Sequence, residues 1–307
     1  MKTLLLFEES STFATYLKHQ IPKDLVDVYE PYKKVNTIFG YILRSIAKRC
    51  SISFFQTLWL GDWKNKIQDY NSIIVFDNCL RPSLLSWFKK NIKEKNKVKI
   101  WLWNVPDKKN KKHIRDFSIY CFDESFSYEN GFTFVEQFYF GSVHKTMKKE
   151  FDSDFYFIGA DKGRLEELEN LYKELNQRGF KCNFYVVSNS NMDSKDGFIV
   201  TNKQISYEDI IKNIEKTKVI VDITKKGQNG LTLRALESLF YERKLITNNK
   251  NIKKYDFYNP NNIFILGEDD HHERLVEFVN TKYVEIDSRI KENYTFNKWL
   301  ESINKGI

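Results

Sequence analysis

The sequence has few of the residues that build metal centres and disulfide frameworks. Its four cysteines lie far apart and form no C-x-x-C pair, which excludes a zinc-finger type of site and a disulfide-stapled fold. Among the five histidines the only adjacent pair is His271 and His272, and neighbouring residues on a helix point in different directions. The sequence therefore predicts no metal site.

Long apolar runs are also missing. No stretch approaches the roughly 18 uncharged apolar residues that a membrane-spanning helix needs. The N-terminal residues MKTLLLFEES contain a short apolar run before two glutamates, which is typical of a first strand and not of a signal peptide. We therefore expect a cytoplasmic protein, with peripheral contact to the inner face of the plasma membrane as an alternative.

Charge is unevenly distributed along the 307 residues. Residues 1–150 contain 25 Lys and Arg against 16 Asp and Glu, a net charge of +9, whereas residues 151–307 contain 24 against 25, a net charge of −1. This asymmetry indicates two domains that face different partners. A basic surface attracts phosphates, nucleic acids or anionic membranes, and charge alone does not distinguish among them.

Strand-like apolar runs alternate with helix-like runs in both halves of the chain. Examples are SIIVFD at 72–77, DFYFIG at 154–159 and KVIVDI at 218–223. Continuous apolar strands that alternate with helices are typical of parallel sheets covered on both faces. We predict an α/β fold of two doubly wound, Rossmann-like domains, 1–150 and 151–307, with a cleft between them and a closing amphipathic helix near the C-terminus.

Ligands of open parallel sheets bind beyond the carboxyl ends of the strands, so the segments that follow strands are the candidate sites. The first is FIGADKGRLEEL, where the strand ends at Gly159 and a loop with Asp161, Lys162 and Gly163 leads to Arg164. Backbone N–H groups at a helix start, together with two cations, make an anion site. The alternative is a tight turn whose Lys and Arg are merely solvated.

The second candidate is KKGQNGLTLRALES, in which Gly227 and Gly230 permit close backbone approach. If the helix begins near Gly230, then Gly230, Arg234 and Glu237 share one face. Arg234 offers paired donors to a diphosphate, and Glu237 offers acceptors to a ribose diol. The alternative is an exposed Arg234–Glu237 ion pair without a ligand, which contributes little to stability.

These motifs, with YDFYNPNNIFIL further on, resemble the C-terminal domain of GT-B glycosyltransferases, and more narrowly bacterial enzymes of lipopolysaccharide and capsular polysaccharide assembly. The similarity extends over about 154–266 and is only architectural over the first half. It implies a nucleotide diphosphate sugar donor, with UDP expected, in the C-terminal domain and an acceptor in the N-terminal domain. The implied acceptor is a lipid-linked oligosaccharide or a growing surface polysaccharide, with neither a metal nor nucleic acid as a partner.

The resemblance also assigns roles to individual residues. Lys162 and Arg164 come near the phosphates, Glu237 near the ribose, and the base faces Ile205 or Tyr207. Asn229 stands where many retaining enzymes carry a second glutamate, so the stereochemical outcome stays open. The full set assigned to the nucleotide sugar is Gly159, Lys162, Arg164, Ile205, Tyr207, Asn229, Gly230, Leu231, Thr232, Arg234 and Glu237.

An inverting enzyme needs a general base within hydrogen-bond reach of the acceptor hydroxyl. Candidates in the first half follow predicted strands, and each has the alternative role of a helix cap or a surface carboxylate. They are Glu8, Glu9, Asp77 and Asp123.

Basic and aromatic residues concentrate in the first half, at 32–59 and 89–112. The first segment is compatible with contact to an anionic membrane, and the second is typical of a solvated lysine-rich helix. No known nucleic-acid reading motif is present. Two further functions stay open: a polyol-phosphate transferase of similar build, which needs a positioned histidine, and a non-enzymatic nucleotide-binding or nucleic-acid-binding protein.

Overall fold

The computed structural model divides the chain into two units, each with its own parallel sheet. The first unit comprises Met1–Val135 with Glu301–Ile307, and the second comprises Glu136–Leu300. The segment NTIFGYILRSIAKRC at 36–50, whose apolar spacing predicts a helix, lies largely outside the described residues. The structure describes residues 2–9, 11–35, 37–38, 40, 42, 58–104, 114–141, 150–190, 192–224, 229–269 and 272–306.

The first unit contains a six-stranded, all-parallel sheet in the order β2-β1-β3-β4-β5-β6. The strand order reverses between β1 and β3, which is where open sheets of this kind bind ligands. The strands are β1 (Thr3–Leu6), β2 (Val26–Tyr29), β3 (Ser72–Phe76), β4 (Val98–Leu102), β5 (Ser118–Cys121) and β6 (Thr133–Phe134). The described helices are α1 (Thr12–Gln20), α2 (Pro82–Asn91) and α3 (Glu124–Asn130), with 3₁₀ turns at Asp62–Asp69, Asp77–Cys79 and Lys95–Lys97.

Strands β3 and β4 are buried along their whole length, as their continuous apolar sequences predict. The exception in sequence is Lys99, in the middle of β4. Its ammonium group donates hydrogen bonds to the carbonyl oxygens of Ile303 (2.8 Å) and Asn304 (3.0 Å). These are carbonyls at the end of the C-terminal helix, so a buried cation stabilises a helix C-terminus.

The second unit also has a six-stranded parallel sheet, in the order β12-β11-β10-β7-β8-β9. Renumbered from the first strand of the unit, this is the 3-2-1-4-5-6 order of dinucleotide-binding folds, and the order reverses between β7 and β10. The strands are β7 (Ser153–Ala160), β8 (Cys182–Val187), β9 (Phe198–Thr201), β10 (Thr217–Asp222), β11 (Lys244–Thr247) and β12 (Ile263–Ile265). The helices are α4 (Leu165–Gln177), α5 (Tyr207–Glu215), α6 (Leu233–Phe240), α7 (His272–Asn280), α8 (Ser288–Glu292) and α9 (Phe296–Lys305), with a 3₁₀ turn at Lys250–Lys254.

Aromatic side chains fill the core of the second unit. The ring of Phe184 on β8 lies 5.8 Å from that of Phe157, 5.9 Å from that of Tyr172 and 6.1 Å from that of Phe198. This cluster fixes strands β7, β8 and β9 against helix α4. The predicted α/β fold with two doubly wound sheets is therefore confirmed.

Local signals in the sequence place several helix ends correctly. Pro82 lies in the first turn of α2, and the Ser206 hydroxyl accepts a hydrogen bond from the backbone N of Asp209 (3.1 Å) at the start of α5. The start predicted near Gly230 is wrong, because Thr232 is the N-cap and α6 begins at Leu233. Gly230 therefore precedes the helix and does not share its face with Arg234.

The contacts at the two ends of the second unit explain its bounds, which differ from the domain limits predicted at 150/151. Residue Tyr139 donates its backbone N–H to Tyr294 O (2.8 Å), so the chain already joins the second unit before residue 150. At the other end, Asn304 donates to the Thr3 hydroxyl (3.2 Å), so the last residues belong to the first unit.

Two searches of the described residues gave negative results. None of the described helices has the length and apolar character needed to cross a membrane. The described part of the chain also holds no group of three or more His, Cys, Asp or Glu side chains placed to bind a metal ion. The described cysteines, Cys79, Cys121 and Cys182, are buried and free.

Candidate functional site

The two sequence motifs come together at the point where the strand order of the second unit reverses. Strands β7 and β10 are hydrogen-bonded neighbours, with Phe155 opposite Val219 and Tyr156 opposite Ile220. Because both strands run in the same direction, the segments that follow them leave the sheet at the same edge. The topology thus brings 161–164 and 229–234 together, as ligand sites in such sheets require.

In the first motif the Asp161 carboxylate occupies the backbone N–H groups that were predicted to bind an anion. Its Oδ1 accepts from the backbone N of Gly163 (3.1 Å), Arg164 (3.1 Å) and Leu165 (3.0 Å). Its Oδ2 accepts from the Ser188 hydroxyl (3.0 Å). The start of α4 is therefore capped by the protein itself at these three N–H groups, which are not available to a phosphate while Asp161 holds them.

Lys162 and Gly163 form the exposed tip of this loop. Both have left-handed backbone angles, φ 49° and φ 81° respectively. Lys162 is thus a lysine where glycine is preferred, and its exposed position keeps its side chain at the surface.

Replacing Asp161 with alanine is expected to destabilise the second unit by about 1–2 kcal/mol, because three backbone N–H groups at the start of α4 lose their side-chain acceptor. Thermal unfolding measures the effect. The control is Asp152→Ala, which removes an exposed ion pair with Lys216 and should change the melting temperature little. Equal melting temperatures for the two variants would contradict the capping role.

Arg164 folds back over the end of β7. One of its terminal nitrogens donates to Ala160 O (3.1 Å), and its guanidinium lies 5.3 Å from the centre of the Phe157 ring. Gly159 makes room for this arrangement, because a Cβ at residue 159 would lie 3.1 Å from Arg164 Nη2. The Nε of Arg164 is buried and makes no hydrogen bond to the described residues, so Arg164 retains a donor at the switch point.

The charges around Arg164 show what it faces. Burial lowers the pKa of its guanidinium, the carboxylate of Asp222 opposes that effect, and the positive charge of Arg234 adds to it. Arg164 and Arg234 follow the neighbouring strands β7 and β10 at the same edge of the sheet, and the positive charge of Arg234 disfavours the charged form of Arg164 there. An anion placed there would relieve that repulsion.

Asp222, the last residue of β10, anchors the second motif. Its Oδ2 accepts from the hydroxyls of Thr232 (2.9 Å) and Thr247 (3.3 Å), while Thr232 Oγ1 also accepts from Ala235 N (3.1 Å) as the cap of α6. Burial raises the pKa of Asp222, whereas Thr232, Arg164 and the other polar neighbours lower it. Asp222 was not among the predicted site residues, although a carboxylate at the end of an apolar strand was a signal for it.

Arg234 and Glu237 lie on the same face of α6 and form an ion pair. Glu237 Oε1 also accepts a hydrogen bond of 2.5 Å from the hydroxyl of Tyr207, which lies 2.9 Å from the hydroxyl of Tyr139. Burial raises the pKa of Glu237, and Arg234 and Tyr207 counteract this rise. Glu237 is therefore a buried carboxylate that is bonded to Tyr207 and Arg234. It does not belong to an exposed surface ion pair, which was the alternative in the sequence analysis.

The remaining predicted residues of this site have different surroundings. Gly230 and Leu231 are buried, whereas Asn229 is exposed and accepts from the side chains of Asn249 (3.4 Å) and Asn251 (3.3 Å). Tyr207 lies in the core beneath Glu237, so its ring is not presented to a base. Ile205 is half-buried. The lysines and glycine at 225–227 lie outside the described residues.

Two asparagines that the sequence did not single out organise this edge. Asn248 Oδ1 accepts from both the backbone N (2.8 Å) and the hydroxyl (2.9 Å) of Thr224, and thereby ties the end of β11 to the end of β10. Asn249 contacts Asn229 through its amide nitrogen. The two adjacent asparagines directly after the strand KLIT were a signal for them.

In the first unit, Asp77 follows β3 at the point where that sheet reverses its order. Its Oδ2 accepts from the backbone N (2.9 Å) and the side-chain nitrogen (3.3 Å) of Asn104. It is half-buried, and burial raises the pKa of its carboxyl. Asp77 forms no ion pair with the residues that the structure describes, so it is a carboxylate with free proton-accepting capacity.

The other candidate bases have partners that occupy them. Glu8 pairs with Arg81 (2.5 Å), and Glu9 pairs with Lys18. Asp123 is buried and accepts from Phe126 N (2.9 Å) as the N-cap of α3.

No protein-family model matches the chain, and no curated protein matches its sequence. Solved structures do match. An alpha-glucosyltransferase in complex with UDP and a 13-mer DNA containing an HMU base has a TM-score of 0.63 at 10% identity, covering 99% of each chain. The same type of enzyme in complex with UDP gives a TM-score of 0.62 at 11% identity, over 99% of this chain and 100% of that one.

A DNA-modifying enzyme, a beta-glucosyltransferase solved with and without uridine diphosphoglucose, has a TM-score of 0.51 at 14% identity, over 100% of this chain and 95% of that one. At these identities the similarity establishes the fold, which is the GT-B architecture of two Rossmann-like domains. It does not support the narrower resemblance to lipopolysaccharide and capsule enzymes.

Proposed function

We propose that this protein is a glycosyltransferase that transfers a sugar, glucose in the first instance, from its UDP conjugate to a hydroxyl group on nucleic acid. The observation that carries the proposal is the placement of Arg164 and Arg234 in the segments that follow the neighbouring strands β7 and β10, at the switch point of the second sheet. Two guanidinium groups at that place are suited to a diphosphate. The GT-B fold shared with UDP-dependent glucosyltransferases supports the same assignment.

The arginines also supply the chemistry of the leaving group. As the bond between the sugar and the diphosphate breaks, negative charge develops on the departing UDP. Arg164 and Arg234 stabilise that charge, which is the role that a metal ion plays in other transferases. In this proposal no metal is needed for the reaction.

The acceptor is the part of the assignment that changes most from the sequence. A lipid-linked oligosaccharide was expected there, with no nucleic acid as partner, but the matched structures include DNA complexes. The net charge of +9 over residues 1–150 supports a nucleic acid acceptor, because a basic surface binds the phosphate backbone.

We assign Asp77 as the general base. It would accept the proton of the acceptor hydroxyl while the hydroxyl oxygen forms its bond to the anomeric carbon. The bond from that carbon to the diphosphate oxygen breaks in the same direct displacement, and UDP leaves with the electron pair. This role rests on the position of Asp77 directly after β3, at the switch point of the first sheet, and on its partial exposure.

The test is transfer of radiolabelled glucose from UDP-glucose to duplex oligonucleotides with and without hydroxymethylated pyrimidines. We expect incorporation only into the modified duplex, which carries the acceptor hydroxyl, and calorimetry should show micromolar binding of UDP. Binding of UDP without transfer to any nucleic acid would overturn the acceptor assignment. Failure to bind UDP, GDP or CDP would overturn the transferase assignment itself.

A further inference from the structure

The surroundings of Glu237 have a direction, from the core to the surface. Tyr139, Tyr207 and Glu237 form a hydrogen-bonded series whose inner end is Tyr139. Tyr139 is 1% exposed, Tyr207 is 2% exposed and Glu237 is fully buried. Arg234, on the other side of Glu237, has a side-chain exposure of 18%. Among the described residues that bond to the Glu237 carboxylate, Arg234 is therefore the one that faces solvent.

Both carboxylate oxygens of Glu237 are already engaged. Oε1 accepts from Tyr207 on the core side, and Oε2 accepts from Arg234 on the solvent side. A ribose hydroxyl that approaches from solvent therefore meets the Arg234 guanidinium before it reaches the carboxylate. Glu237 becomes accessible to a ligand only after Arg234 moves away from it.

Movement of the Arg234 side chain away from Glu237 is unfavourable unless an anion is present. Among the described residues, Arg164 is a cation that follows the neighbouring strand β7 at the same edge of the sheet, and the positive charge of Arg234 already contributes to lowering its pKa. Moving Arg234 away from its carboxylate and toward Arg164 would bring like charges together in a poorly solvated region. A diphosphate between the two guanidinium groups reverses the sign of that interaction.

We propose that Arg234 exchanges partners when the nucleotide binds: it leaves Glu237, whose carboxylate then accepts the ribose diol, and it binds the diphosphate beside Arg164. This inference rests on the proposed function and adds a specificity mechanism to it. A ligand with a ribose but no phosphate breaks the ion pair without replacing the arginine's partner. A nucleoside diphosphate replaces both partners, so the site selects for the two parts together.

Tyr207 is the positioning residue in this exchange. Its hydroxyl holds Glu237 Oε1 from the core side, independently of Arg234. The carboxylate thus stays in place when the arginine leaves. Tyr139, whose hydroxyl lies 2.9 Å from that of Tyr207, supports the tyrosine in turn.

If Arg234 exchanges partners in this way, the Arg234→Ala substitution should change the affinities for UDP and for uridine in opposite directions. In Arg234→Ala the affinity for UDP should fall by about tenfold or more, because a charged hydrogen-bond donor to the diphosphate is lost. The affinity for uridine should instead rise, because its ribose no longer has to displace the arginine. Calorimetry for UDP and ligand-observed NMR competition for uridine measure the two affinities.

Two further variants separate the exchange from a loss of folding. Arg234→Gln removes the charge while covering part of the same space, and should change both affinities in the same directions as alanine. Arg178→Ala removes an arginine at the far end of α4, where it pairs with Glu174, and should change neither. Thermal unfolding of each variant confirms that the protein compared is folded.

The outcomes are distinct. Uridine that binds Arg234→Ala and Arg234→Gln no better than the wild type, or fails to bind them measurably, overturns the exchange while leaving UDP binding by the wild type intact. Wild-type protein that binds no nucleoside diphosphate overturns the proposed function, and the exchange with it.

Discussion

Replacing Arg164 with alanine is expected to weaken UDP binding by roughly 10- to 100-fold, because charge-assisted hydrogen bonds contribute about 1.5–3 kcal/mol each. The expectation comes from the position of this side chain. It folds over the end of β7, faces Asp222 and Arg234, and has a buried Nε that bonds to none of the described residues. A diphosphate at the switch point would supply that missing acceptor.

The same change should lower kcat beyond its effect on binding. Negative charge on the diphosphate increases as the sugar departs, so a fixed guanidinium stabilises the transition state more than the bound donor. Losing one such group in a preorganised site typically lowers kcat by about 100- to 1,000-fold. Steady-state kinetics with UDP-glucose measure kcat and KM separately.

The matched control is Arg178→Ala, on the same helix. Arg178 lies directly after the last residue of α4 and forms an exposed ion pair with Glu174. Its loss should leave kcat and UDP affinity unchanged. If Arg164→Ala and Arg178→Ala behave alike, the diphosphate is not bound at the exit of β7, and the site must be sought elsewhere.

The strands were predictable because burial on both faces of a parallel sheet demands continuous apolar runs. β3 and β10 show this most clearly. The strands that the sequence did not reveal are the edge strands β6 and β9, which are two and four residues long and are partly exposed. Helix α1 was also missed, since it buries only Ala14 and Leu17 and so leaves little periodicity to detect.

The candidate site was predictable in part. The position of Arg164 and Arg234 after two strands follows from the sequence, and parallel pairing of β7 with β10 brings these exits together. The roles of the carboxylates do not follow from it. Asp161 and a ligand compete for the same backbone N–H groups, and a sequence motif does not show which of them occupies those groups.

The features of the candidate site that were not predicted depend on contacts between residues far apart in the sequence. The sequence offers Glu237 as a ribose ligand or as half of a surface ion pair, and its burial depends on Tyr207, thirty residues away. Asp222 is bonded by Thr232 and Thr247, which come from the next helix and the next strand. Such partners are set by tertiary packing, so local patterns carry no signal for them.

Asp77→Asn is expected to lower kcat for sugar transfer by about 100- to 10,000-fold, the range associated with loss of a general base. Asparagine has nearly the same shape, and its oxygen can still accept from the backbone N of Asn104 as Asp77 does. UDP affinity should be unchanged, because the proposed donor site lies in the other unit of the chain. The expected result is therefore a loss of kcat at constant nucleotide affinity.

The pH dependence gives an independent signature. Burial raises the pKa of Asp77 above the ordinary 3.8, and the base must be ionised to accept a proton. kcat/KM of the wild type should therefore fall as the pH is lowered through that raised pKa. The remaining activity of Asp77→Asn should not show this decrease at low pH.

The Asp77→Asn substitution, which is expected to lower activity, should not lower the stability of the fold at pH 7. Because the pKa of Asp77 is higher in the folded than in the unfolded protein, ionising it at neutral pH disfavours folding, and this cost disappears as the pH falls. Asparagine never ionises, so Asp77→Asn should unfold at the same or a higher temperature than the wild type at pH 7.

Glu9→Gln and Asp123→Asn, which change carboxylates already engaged by Lys18 and by the start of α3, should retain activity. If either of these variants is inactive while Asp77→Asn turns over normally, the proton is accepted at a different strand exit.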